Sequence, residues 1–170
     1  MSENLSYTKI PDPPEMVTAA SILIRLVDGI GFRYRWATEG LIENDMEFQP
    51  CETSMKLWEL LAHIHGLLSI SESYLTDSAI VEIKPVSLAE RRKLTLDTVI
   101  RIREALQGLD EDYLVARFYK VPWAEDKLPI WFLINGPLSD TLTHNGQIAS
   151  WRRINDNPIQ RANVFFGTPP

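Results

Sequence analysis

PLSDTLTHNGQIASWRR, residues 137–153, reads as a helix. Asp140 and His144 stand four apart, about 40° from each other around a helical axis, and so share a face. A carboxylate and an imidazole placed this way can hold one metal ion between them. Leu138, Leu142 and Ala149 fall on the other side. A helix buried on that apolar side alone would turn Asp140, His144, Gln147 and Trp151 to water. Asp140 also lies in the first turn after Gly136-Pro137, where a carboxylate suits the helix dipole and the unpaired N–H groups. The pair becomes a site only if another element brings a third ligand.

The remaining histidines are His63 and His65, in a second helical pattern from about Thr53 to Thr76. Leu57, Leu60, Leu61, Ile64, Leu67, Leu68 and Leu75 form its apolar stripe. Thr53 or Ser54 serves as the expected N-cap. His63 and His65 flank the stripe on opposite sides, each about 100° from Ile64, and periodicity does not choose between them. Two histidines and one carboxylate leave coordination positions open for water and substrate. The set His63, Asp140 and His144 meets that requirement if the two helices are neighbours.

Two further helical patterns complete the chain. Glu15–Leu41 carries Met16, Ala19, Leu23, Leu26, Ile30, Tyr34, Ala37 and Leu41 at spacings of three and four. Gly29 and Gly31 interrupt it, marking a bend or a close helix crossing. Ser87 and Glu90 form a capping-box pattern for a helix running to about Leu109, near Gly108. Residues 110–128 lack a sustained period, and Tyr113–Val121 reads as a short strand or a turn of helix. The last helix starts near Leu128, is kinked or divided at Gly136-Pro137, and stops near Asn155 before Asn157-Pro158. Residues 1–14 read as an extended arm. Residues 159–170 read as an extended tail whose Val164, Phe165 and Phe166 pack on the body. The expectation is one all-α domain over residues 1–170, with four helices around a common core.

Composition narrows the function classes. Hydrophobic residues make up 45% and charged residues 24% of the 170, with a net charge of −6. The acidic balance argues against a duplex-binding surface. Arg91-Arg92-Lys93 and Arg101/Arg103 read as solvated helix faces. Cys51 is the one cysteine, so no internal disulfide is expected, which suits the cytoplasm. The N-terminus lacks a leader pattern, and no apolar run approaches the roughly 20 residues of a membrane span.

ELLAHI (59–64) followed by DTLTHNGQIASWRR (140–153) resembles the DinB/YfiT-like family of metal-dependent proteins. Family members carry one histidine on the second helix in a context like LLAHI, which His63 matches. Two more ligands stand four apart on the fourth helix, the second directly before a residue-Gly-Gln segment, as Asn145-Gly146-Gln147 follows His144. The first of that pair is often histidine. Asp140 stands there in this chain, keeping a ligand-competent group while changing its charge and softness.

The resemblance implies a four-helix bundle of the down-up-up-down kind, with the long connection before the last helix. It implies a divalent metal ion, nickel, zinc or iron, on His63, Asp140 and His144, and frequent homodimers. It also implies a small-molecule substrate and a low-molecular-weight thiol, whose thiolate attacks an electrophile in a transferase or isomerase reaction. His65 is then a partly exposed surface or interface residue, and remains the alternative ligand to His63.

Glu59, four before His63, either orients an imidazole or acts as a base on bound water, or is an ordinary solvated glutamate. Gln147 is placed to hydrogen-bond behind a ligand, and Gly146 to let helices approach. Trp58, Trp151 and Tyr34 either line a pocket or belong to the core. Arg152 and Arg153 are expected on the surface near the helix C-terminus. The rival expectation is a non-catalytic dimeric helical stress-response or binding module. Its interface would use Tyr113, Phe118, Tyr119, Trp123, Phe165 and Phe166.

Overall fold

Apolar periodicity becomes helix in the computed structural model, which describes residues 5–170. In chain order these are α1 (Ala19–Ala37), α2 (Leu57–Thr76), α3 (Leu88–Leu106), a short α4 (Glu111–Ala116), α5 (Ile130–Leu133) and α6 (Ser139–Ile154). A 3-10 turn covers Glu43–Glu47. The only paired strands among the described residues are β1 (Phe118–Tyr119) and β2 (Leu128–Pro129), which are antiparallel. The fold is therefore mostly helical. Helix α3 packs on α1 and α2, and α6 packs on both α1 and α2. Val27, Ile30, Leu60, Ile64, Leu68, Leu96, Val99, Ile102 and Ile148 meet between them with almost no exposure. No helix among the described residues is long and apolar enough to cross a membrane.

Local chemistry sets the helix ends, and it moves several of them. Helix α1 begins at Ala19, not Glu15. Thr18 Oγ1 accepts from Ser21 N at 3.1 Å while Ser21 Oγ accepts from Thr18 N at 2.7 Å, closing the capping box one turn later. Met16 is left outside the helix and exposed. Helix α2 begins at Leu57, because Thr53 and Ser54 are used in a turn in which Ser54 N donates to Cys51 O. Ser87 caps α3 as its spacing predicts, accepting from Glu90 N at 3.2 Å. That helix stops at Leu106, and Gly108 takes the left-handed conformation just beyond, at φ 79°.

The long connection contains both expected alternatives: α4 is a turn of helix and β1 a strand. Arg117 Nε donates to Tyr74 O at 2.9 Å and Tyr74 Oη donates to Arg117 O at 2.9 Å, fastening the connection to the end of α2. Residues 1–4 of the arm lie outside the described residues. The rest of the arm is docked. Tyr7 lies flat on Gly31, where a Cβ would come within 2.7 Å of its ring. Gly31 is thus a seat for the arm and not a helix crossing. The tail is folded into a turn, with Gly167 N donating to Asn163 O at 2.8 Å and Ile10 N to Gly167 O at 2.9 Å. Phe165 and Phe166, expected to pack, are 91% and 78% exposed at its tip.

Several arginines expected in solvent are held by ion pairs or backbone carbonyls, and Arg91, Arg92 and Arg152 are buried. Arg92 meets Glu39, which also takes Arg35, and Arg91 Nη2 donates to Lys84 O at 2.6 Å. Arg103 Nε reaches Asp28 Oδ1 at 3.1 Å, and Arg101 Nε reaches Glu72 at 2.5 Å. Arg152 donates to Ala37 O at 2.9 Å and Glu39 O at 2.6 Å, tying the end of α6 to the end of α1. Lys93 alone of the run Arg91-Arg92-Lys93 is exposed.

Candidate metal centre

The site is built where α6 crosses α2. Pro137 has no N–H to give Leu133, and its ring would clash with that carbonyl in an α-helix. The backbone widens to a π-type turn over Ile134–Leu138 and then resumes as α6. Ser139 Oγ donates to Ile134 O at 2.6 Å and Thr141 Oγ1 to Pro137 O at 2.7 Å, adding side-chain donors to two carbonyls of the turn. Asp140 follows in the first turn of α6.

The buried stripe of α6 is Leu138, Thr141, Asn145, Ile148 and Arg152. It lies between the apolar side inferred from sequence and the side carrying Asp140 and His144. Asn145 Nδ2 donates to Ile30 O at 3.4 Å and Arg152 donates to the α1 carbonyls, which lets polar residues occupy this stripe. Asp140, His144, Gln147 and Trp151 therefore form a half-buried flank and do not stand in open water.

His63 on α2 faces that flank. Its Nε2 is 3.6 Å from Asp140 Oδ2, and His144 Nε2 is 3.3 Å from Asp140 Oδ1. The two imidazole rings stand edge to face with centroids 4.8 Å apart. One ligand atom from each of the three residues lies within 4.8 Å of the others. Ligands bound at about 2.0–2.2 Å to one ion sit roughly 3.0–3.5 Å apart at tetrahedral or octahedral angles, so small rotamer movements suffice to close the set. Side-chain exposure is 38% for His63, 45% for Asp140 and 13% for His144, so one side of the cluster faces solvent.

Gln147 takes the place its spacing suggests. Its Oε1 lies 2.7 Å from His144 Nδ1. With the amide oxygen accepting from an Nδ1–H, the Nε2 lone pair is left facing Asp140 and His63. The residues thus fit a divalent ion in donor type, spacing and tautomer. Glu59 is not one of the three. Its Oε2 accepts from Lys56 N at 2.7 Å and closes the first turn of α2. A Cβ on Gly146 would meet nothing within 4 Å, so this glycine does not mediate a close helix approach.

His65 is buried at 4% exposure, contrary to the expected surface position. Its Nδ1 lies 3.4 Å from Thr95 Oγ1 on α3. Burial, with Arg91 and Arg101 nearby, pushes its pKa down to about 4. Tyr34 is wholly buried core, Trp151 packs half-buried against the core, and Trp58 is half exposed. Trp58 lines a cavity of about 400 Å³ with Leu61, Ala62, Ile83 and Val86, and none of the three candidate ligands borders it.

No family model, curated protein or solved structure matches the chain.

Proposed function

We propose that the protein is a divalent-metal-dependent enzyme of the DinB-like kind, acting on a small molecule with the help of a low-molecular-weight thiol. The single observation behind this reading is the convergence of His63, Asp140 and His144 from two helices onto one half-open point. In the same reading the four long helices form a down-up-up-down bundle, and the protein works as a homodimer.

His63, Asp140 and His144 would hold the ion. When bound, it supplies Lewis acidity that lowers the pKa of a thiol or water. Asp140 contributes the one negative charge among the three. Gln147 holds the His144 ring in the tautomer and direction that the site needs. The exposed sides of His63 and Asp140 leave an approach for the thiol and its electrophilic partner. The histidine-histidine-carboxylate set suits nickel, zinc or iron.

The test is elemental analysis of protein purified without a histidine tag, followed by a thiol-dependent S-transfer assay with a small aryl halide. About one ion per chain is expected, with turnover lost in His144→Ala. Substoichiometric metal that is unchanged in His144→Ala would overturn the reading.

A second reading is a non-catalytic dimeric module. The exposed rings of Phe118, Trp123, Phe165 and Phe166 favour it, since exposed aromatics are interface material. Dimer formation without bound metal or thiol chemistry would select it.

A further inference from the structure

The flank of α6 turned away from the metal centre carries a second cluster. Leu142, Gly146, Ala149 and Arg153 lie roughly 160° around the helix from Asp140, His144 and Gln147. Together with α1 and the returning segment 158–164, they enclose a cavity of about 720 Å³. That volume lies within the range of small-molecule sites, roughly 300–1,000 Å³.

The charge in its walls is one-sided. Arg33, Arg153 and Arg161 line the cavity, and no Asp or Glu does, although the chain has 23 acids to 17 bases. Of the arginines outside it, Arg35, Arg92, Arg101, Arg103 and Arg117 each contact a carboxylate, while Arg25, Arg91 and Arg152 are spent on backbone carbonyls. Arg33 Nη1 donates to Gly29 O at 3.1 Å, a neutral acceptor that leaves the charge uncompensated. Arg153 and Arg161 have no hydrogen-bond or ion-pair partner among the described residues. Trp36, Leu142 and Ile159 supply an apolar wall beside them.

We propose that this groove binds an organic dianion with an apolar body, a phosphate monoester or a dicarboxylate. Guanidinium groups pair with both kinds of oxyanion through two parallel N–H bonds. Three of them in one partly enclosed cavity leave an excess of positive charge that a dianion neutralises. The apolar wall selects for a body that a bare inorganic ion lacks. The proposal does not depend on the metal centre, which lies on the other side of α6.

Isothermal titration of the full chain at low salt with phenyl phosphate, phthalate and phenol tests it. One of the two dianions should bind saturably at one per chain, phenol should not, and the preferred dianion identifies the oxyanion chemistry. Arg153→Gln and Arg161→Gln should each weaken that dianion about tenfold, with unchanged circular dichroism. Added salt should weaken it further. His144→Ala should leave it unaffected. No saturable binding of either dianion by about 10 mM would overturn the proposal. So would affinity that both arginine variants leave intact, equal binding of phenol, or loss of binding in His144→Ala, which would place the anion at the metal centre.

Discussion

Two polar clusters join helices in this protein, and they are wired in opposite senses. Around Asp28 on α1, donors meet an acceptor. Tyr7 Oη donates to Oδ1 at 3.0 Å, Arg103 Nε donates to the same oxygen at 3.1 Å, and the carboxylate is 1% exposed. Between α2 and α6, imidazole Nε2 atoms and carboxylate oxygens face one another, while half of His63 and Asp140 remains open. The first arrangement completes itself and anchors the N-terminal arm. The second brings several lone pairs to one point and satisfies them incompletely, an arrangement whose donor atoms could hold a metal ion.

The largest expected effect tests the open cluster. His144→Ala should abolish stoichiometric binding of nickel, zinc or iron in equilibrium dialysis, while the apo protein keeps its melting temperature. A collapse of the apo fold would make the two clusters alike.

Asp28→Ala tests the closed one. It strands the Tyr7 hydroxyl and the Arg103 guanidinium, and should cost about 3–5 kcal/mol in urea unfolding. Metal content should not change.

His65 sharpens the contrast on one helix, because it stands two residues from His63 and belongs to the closed class. Its folded pKa of about 4 lies below the ordinary 6.5 of an unfolded histidine. Between those values the unfolded chain binds more protons than the folded one. Stability is therefore complete above about pH 6.5 and falls as pH drops through that window, by up to about 3 kcal/mol at pH 4. Urea midpoints measured from pH 7 to pH 4 should show this slope, and His65→Gln should reduce it.

Smaller effects separate support from scaffolding. Gln147→Leu frees the His144 ring and should weaken metal binding about 10- to 100-fold. Glu59→Ala should cost about 1 kcal/mol of stability by opening the first turn of α2, with metal affinity and turnover kept. A turnover loss of about 100-fold with metal retained would instead assign Glu59 as a base.

Much of this was legible in the sequence. Helical spacing located the four long elements, and the i, i+4 relation of Asp140 and His144 placed them on one face. The side of α6 that buries was not legible from apolar spacing. Its stripe runs through Thr141, Asn145 and Arg152, residues that bury because α1 and Pro137 carbonyls accept their protons. The same long-range pairing hid the burial of Arg92 and the half-burial of Arg103, since Glu39 and Asp28 lie more than fifty residues away. His65 was misplaced for a related reason. Its neighbour Thr95 comes from α3, which a reading of α2 alone does not contain. The groove around Arg33, Arg153 and Arg161 gathers residues from three separate segments, and no local pattern joins them.

The wide turn at Ile134–Leu138 acts as a phase shifter for everything after it. A chain shortened there by one residue, with α5 still docked, would rotate α6 by about 100°. His144 would swing off α2 while the length, hydropathy and ligand spacing stayed nearly the same. Metal capacity would then differ sharply between two chains that look almost identical on paper, and the residue count of one loop would be the reason.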